Sequence, residues 1–340
     1  MLTDLPWISG ECKGARMTVQ LSPPQVPVVS EKRPIVKRKR RSPLKRALSS
    51  WQLYVLLAPA VVYVLIFKYW PMYGAQIAFR DYNPVDGFAG SPWVGLEHFA
   101  RFVTSFQFER LLVNTLSLNA LGLLLAFPVP IILALIVNQL QSERFKKFTQ
   151  TVLYSPSFIS IVVVVGMIHL LFSPRAGIVN NAIETFGGAP VFFMGIPEWF
   201  RPLFVGSDIW QNAGFSMIVY LAALTAIDPS LHEAARVDGA NKMQRIRHID
   251  IPGILPVITI LFILAIGNLF NLGFEKVLLM QTDLNLPTSE VIQTYVYKVG
   301  LQQAQFSYSA AIGLFNSLIN LVLLLTFNQV ARKAGQSSLW

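Results

Sequence analysis

Residues 228 to 256 read DPSLHEAARVDGANKMQRIRHIDIPGILP and lie between two strongly apolar segments. Beyond the opening Asp228, Glu233, Arg236, Asp238, Lys242, Arg245, Arg247 and Asp250 place seven more charges in this short stretch. At roughly 2.5 to 3.5 kcal/mol each at mid-bilayer, they would cost about 20 kcal/mol in lipid. The stretch must therefore sit outside any hydrocarbon that its neighbours cross. It also carries helix punctuation. Ser230 and Glu233 have the spacing of a capping box, Pro229 suits a helix start, and Gly239 suits a stop in the left-handed region. From Ala240 a second helix is expected to about Asp250, with Met243, Ile246 and Ile249 on one face. The expectation is a helix-turn-helix hanging between two spans.

The rest of the chain supports a membrane. Of 340 residues 53% are hydrophobic and 14% charged, too apolar a balance for an ordinary soluble protein. The fold class expected is all-α, a polytopic membrane protein with six transmembrane helices, near 53–73, 111–139, 152–172, 207–227, 254–274 and 309–330. Pro128 and Pro130 are expected to kink the second span. Residues 1–50 read as a disordered basic tail, with five prolines after Gln20 and the run KRKRR at 37–41. No apolar core of a signal peptide follows the early charges. Residues 142–150 read as a short basic loop. In the outer segment 173–206, Phe192, Phe193, Trp199 and Phe200 are expected to lie along the headgroups.

Charge fixes the expected orientation. With the N-terminus inside, 20 of the 28 Lys and Arg fall in cytoplasmic segments and seven in outer ones. Both termini and the 228–252 loop are then cytoplasmic. The net charge of +10 follows this distribution, so lipid and not nucleic acid is the partner it implies. Cys12 is the only cysteine, which excludes an intrachain disulfide framework or thiolate metal site.

The pattern Glu233-Ala234-Ala235, Gly239 four residues on, then Ile249 and Ile251-Pro252 resembles the EAA loop of permease subunits in binding-protein-dependent ABC importers. Ile251 stands where Leu is usual. YWPMYGAQIAFRDYNP (69–84), SPWVGLEHF (91–99), GFEKVLLM (273–280), VIQTYVYKVG (291–300) and the C-terminal GLFNSLINLVLLLTFNQVARKAGQSSLW extend the resemblance to the LplB-type carbohydrate permeases, over most of 51–340. Within that group the importers of oligosaccharides from acidic polysaccharides, alginate included, are the nearest in kind.

The resemblance implies a type I ABC importer permease in the bacterial cytoplasmic membrane, with 51–340 as its transmembrane domain. It implies a second permease, an ATPase homodimer, an extracytoplasmic solute-binding protein and an oligosaccharide substrate. The coupling residues it implies are Glu233, Ala234, Ala235, Asp238, Gly239, Ile249 and Pro252. No GxxxxGK[ST] occurs in the sequence, so ATP and Mg are expected on the partner ATPase and no cofactor or metal in this chain.

A sugar path needs hydrogen-bonding groups and aromatic faces. Asn114, Asn119, Trp210, Gln211, Asn212, Asn268, Asn271, Asn316 and Asn320 lie in or at the ends of the expected spans. Each could instead be interhelical glue, worth about 0.6 kcal/mol.

Three other readings compete. His232 to Arg236 comes within one residue of the zinc-protease pattern HExxH, but Arg236 holds the second histidine's place and a guanidinium is no ligand. An ion-coupled transporter would carry charges inside its spans, and apart from boundary residues such as Lys68 and Asp208 there are none. An ABC importer for a non-sugar solute stays open.

Overall fold

A computed structural model describes residues 51–267 and 273–333; the expected tail 1–50 and the candidates Asn268 and Asn271 lie outside these residues. By contacts the chain divides into two units, 1–62 and 63–340. Among the described residues the chain is helical, with a lone bridge between Arg80 and Trp93.

Four helices are long and apolar enough to cross a membrane: α1 (Gln52–Phe79), α2 (Gln107–Asn138), α7 (Lys242–Gly267) and α9 (Phe306–Lys333). Two bent pairs bring the total to as many as six: α3 (Glu143–Phe158) with α4 (Ile161–Leu171), bent by 95°, and α5 (Pro197–Thr225) with α6 (Pro229–Val237), bent by 71°. A short helix, α8 (Phe274–Met280), precedes the last span.

Several expected boundaries move, each for a local reason. Residues 142–150 are helix and not loop, because Ser142 accepts the Phe145 N–H and starts α3. The third span is consequently broken: Ser155–Phe158 tightens around Pro156, the chain extends at Ile159, and Ser160 caps α4 by accepting from Val163. The fourth span begins at Pro197 and not near 207, since Pro197 opens a helix of 29 residues. Phe193 and Phe200 do not lie along headgroups. They are buried in a core with Val164, Ile168, Phe204 and Met280.

The second coupling helix does not stop at Asp250; it is the first part of α7, which runs without a break into the fifth span. The backbone shows how helices pass prolines here. Pro71, Pro128 and Pro252 each follow a π turn, at Leu65–Tyr69, Gly122–Ala126 and Ile246–Asp250. A proline lacks an N–H and crowds the carbonyl four residues back, and a wider turn just before it gives that carbonyl room. The expected kink of the second span is this π turn within a continuous helix.

Helix α5 organises the packing. Phe200, Leu203 and Phe204 join one core with α4 and α8, while Met217, Tyr220, Leu221 and Leu224 join a second with Ala134 and Val137 of α2 and Ile254 of α7. At Gly214 α5 lies close against α3, where an added Cβ would stand 1.9 Å from the Leu153 carbonyl oxygen. Outward-facing Leu124, Val162 and Leu318 are exposed, as expected of helices whose solvent is lipid.

Candidate coupling helix and translocation cavity

Asp228, not Ser230, caps α6. Its carboxylate accepts the Ser230 N–H at 2.9 Å, and that bond holds the Asp228 carboxyl below the ordinary carboxylate range. Pro229 takes the first helical position, where a missing N–H costs nothing. Ser230 is thus two positions too late to cap. Glu233 is therefore released from the expected capping box, and its exposed carboxylate makes no hydrogen bond or ion pair among the described residues.

The capping box appears instead at the start of α7, where Asn241 Oδ1 accepts the Gln244 N–H at 2.9 Å and Gln244 Oε1 accepts the Asn241 N–H at 2.7 Å. Between the two helices Gly239 has φ +79°, the left-handed stop its position required.

On α6, His232 and Ala235 turn inward, while Glu233, Ala234, Val237 and Asp238 face solvent. Leu231, Val237 and Met243 are 52%, 88% and 70% exposed, so apolar side chains share the exposed surface of the two coupling helices. Met243 therefore leaves the face expected for it, and only Ile246 and Ile249 turn inward, Ile246 packing on the α2–α5–α7 core. Pro252 is exposed.

Sequence reasoning also missed Asp250. Its side chain is fully buried, with Oδ2 accepting from Gln139 Nε2 at 3.1 Å and Oδ1 3.3 Å from His232 Nε2. No apolar period marks such a residue, since the pattern around it is that of an exposed charged loop.

A cavity of about 1030 Å³ lies between α2, the break after α3, α5, α7 and the start of α8. Of the sequence candidates Asn119, Gln211 and Asn212 line it. Gln211 also stitches the broken third span. Its Nε2 donates to the Ile159 carbonyl at 2.8 Å, and its own carbonyl accepts from Ser157 Oγ at 2.6 Å. Those bonds satisfy backbone that the break would leave bare within the bundle.

The cavity also takes Asp208, which the sequence assigned to a span boundary, and Lys276, which the charge count assigned to an outer segment. The Asp208 carboxylate accepts from Asn212 Nδ2 at 2.9 Å and stands 3.6 Å from Lys276 Nζ. Lys276 is buried, donates to the Phe204 carbonyl at 3.3 Å and sits 5.0 Å from the centre of the Phe204 ring. Burial pushes its ammonium below the usual lysine range and Asp208 pulls it back. Ser157, Ser160, Ser216 and Tyr220 complete a lining that alternates hydroxyls and amides with Phe127, Phe204 and Phe215.

The other candidates among the described residues do not line this cavity. Asn114 is buried, donates to the Pro287 and Glu290 carbonyls and accepts from Arg201, so it fastens α2 to the segment before the last span. Trp210 is half exposed and outside the lining. Asn316 borders a separate pocket of about 540 Å³ with Phe274, Gln293 and Tyr297, and Asn320 is buried on the same helix.

A bundle of apolar helices around a cavity that carries amides, hydroxyls and an ion pair, with a charged helix set off at a bend, defines an integral membrane permease. This chain belongs to the family of inner membrane components of binding-protein-dependent transport systems, whose model matches residues 123–336. It is 46% identical to the polygalacturonan/rhamnogalacturonan transport system permease YteP of Bacillus subtilis (strain 168), over 89% of this chain and 95% of that one. It is 43% identical to LplB of the same organism, over 85% and 91%. A chain in the crystal structure of a bacterial alginate ABC transporter, in complex with an alginate pentasaccharide-bound periplasmic protein, matches with TM-score 0.81 and 40% identity over 88% of this chain and all of that one. The chain is thus an ABC importer permease with the type I fold, a transport subunit and not an enzyme.

Proposed function

We propose that this chain moves oligosaccharides, in particular those released from uronate-containing polysaccharides, from an extracytoplasmic binding protein to the cytoplasm by alternating access. The observation that carries the reading is the cavity, where amides, hydroxyls and a carboxylate alternate with aromatic rings as sugar hydroxyls and pyranose faces require. The names of the relatives point to acidic saccharides.

In this reading a second permease encloses the other side of the path. A homodimeric ATPase binds ATP and Mg and receives α6, with Glu233, Ala234, Ala235 and Asp238 at the contact, Gly239 setting the angle, and Ile249 and Pro252 joining the loop to its span. Both termini are cytoplasmic in the bacterial inner membrane, and residues 1–50 form a basic tail on that side. ATP closes the ATPase, and the closure shifts the permeases between inward- and outward-facing states.

The test is uptake in proteoliposomes holding the whole importer, with trigalacturonate and an alginate trisaccharide as probes. ATP-dependent accumulation of either is expected. Accumulation of neither, with ATP hydrolysis stimulated by a non-sugar solute, would overturn the reading.

A further inference from the structure

We infer that His232 and Asp250 form a tether that makes α6 and α7 move as one body, and so sets how much of each ATP-driven stroke reaches the cavity. The inference rests on the importer reading above.

Helices α6 and α7 are joined by a short turn through Gly239 at φ +79°, whose backbone bonds, from Gly239 N–H to the Arg236 carbonyl and from Ala240 N–H to the Ala235 carbonyl, run back into α6 and not across to α7. A push on Glu233 could therefore rotate α6 without moving any span. The contact of His232 with Asp250 closes that freedom. His232 is the inward neighbour of Glu233, and its Nε2 stands 3.3 Å from Asp250 Oδ1. That oxygen is buried and accepts no hydrogen bond from the described residues, and the cations that act on the carboxyl are His232, when protonated, and Arg245. Without His232 the buried carboxylate would keep only the Gln139 bond at its other oxygen and the field of Arg245 against its lost hydration, so the contact is held.

Asp250 also closes the π turn Ile246–Asp250, the point at which α7 takes up an extra residue before Pro252. Two walls of the cavity begin here. Helix α7 carries Leu261 and Ala265 into the lining, with Leu261 about 16 Å along the helix from Asp250 at 1.5 Å per residue. The other oxygen of Asp250 accepts from Gln139 at the end of α2, which lines the cavity from Leu118 to Pro130. One carboxylate thus fastens the coupling helix to both walls.

The test uses the full importer with Cys12→Ser, and spin labels on Val237→Cys and Leu264→Cys, read without nucleotide and trapped with ADP-vanadate. One narrow, unchanged distance distribution is expected in the parent, and a broad or shifted one in His232→Ala. A distribution equally narrow in both would overturn the tether.

Transport supplies a second readout. His232→Ala and Asp250→Asn should each lower solute moved per ATP about tenfold, the double variant no further, since both cut one link. His232→Gln, which keeps an N–H donor for Asp250, should retain at least about half of the parent ratio. Losses in the double variant that multiply to about a hundredfold would also overturn it. If Asp250→Asn fails to assemble, the Ala and Gln variants of His232 decide. A parent that takes up neither trigalacturonate nor the alginate trisaccharide would count against the import reading, while the distance measurement would still decide the tether.

Discussion

Glu233 and Lys276 mark the two extremes of charge in this membrane protein. Glu233 is exposed and unengaged, which suits a group whose partner is another subunit. Glu233→Gln and Glu233→Ala should therefore both depress uptake, because no cap is at stake in either. Uptake that survives the Gln change and not the Ala change would restore a structural role. Lys276 is buried and held by an Asp208 that is 41% exposed. Removing one partner of a fully buried pair costs about 3–5 kcal/mol, and exposure of this one reduces the figure. Asp208→Asn is expected to cost about 1–2 kcal/mol, seen as a lower thermal midpoint of the detergent-solubilised complex. Gly239→Ala would place a side chain at φ +79°. The strain of about 1–2 kcal/mol should appear as loss of uptake with the protein still in the membrane, and a protein absent from the membrane would contradict that.

Among the elements, α5 carries a close approach to α3 at Gly214. Gly214→Ala would drive a Cβ to within 1.9 Å of backbone in α3, so either helix must shift. A loss of about 1–3 kcal/mol is the usual cost of such overpacking, and the same assay would detect it. What the sequence made legible follows from these elements. The stop at Gly239, the charged excursion before it and the long apolar helices could be read, because glycine and hydrocarbon each impose a rule that holds locally. The true cap could not, since Asp228, Ser230 and Pro229 are all good starters and only the backbone path chooses among them. The unbroken run of α7 past Pro252 was hidden because proline normally ends a helix, and here a π turn absorbs it. Among the path candidates, Asn119, Gln211 and Asn212 reach the cavity while Asn114 acts as a fastener. An amide in an apolar helix reads the same from sequence whether it faces a neighbour or a void. Lys276 was missed because its short helix folds back onto α4 and α5, which no local pattern foretells.

Across the whole molecule, one chain supplies a cavity that its own helices only partly enclose, a helix bent by 71° from the one before it, and a sequence with no phosphate-binding loop. Each of these is incomplete by itself. The cavity needs a facing wall, and the coupling helix needs a motor that binds nucleotide. The central claim is that this permease works only within an ATP-driven assembly. Purifying the tagged chain from its native membrane in mild detergent, and weighing the intact complex by mass spectrometry, tests it most directly. The expected result is one copy of this chain with a second permease and two copies of an ATPase. Recovery of the chain alone or as a homodimer, with no ATPase retained after cross-linking, would contradict it.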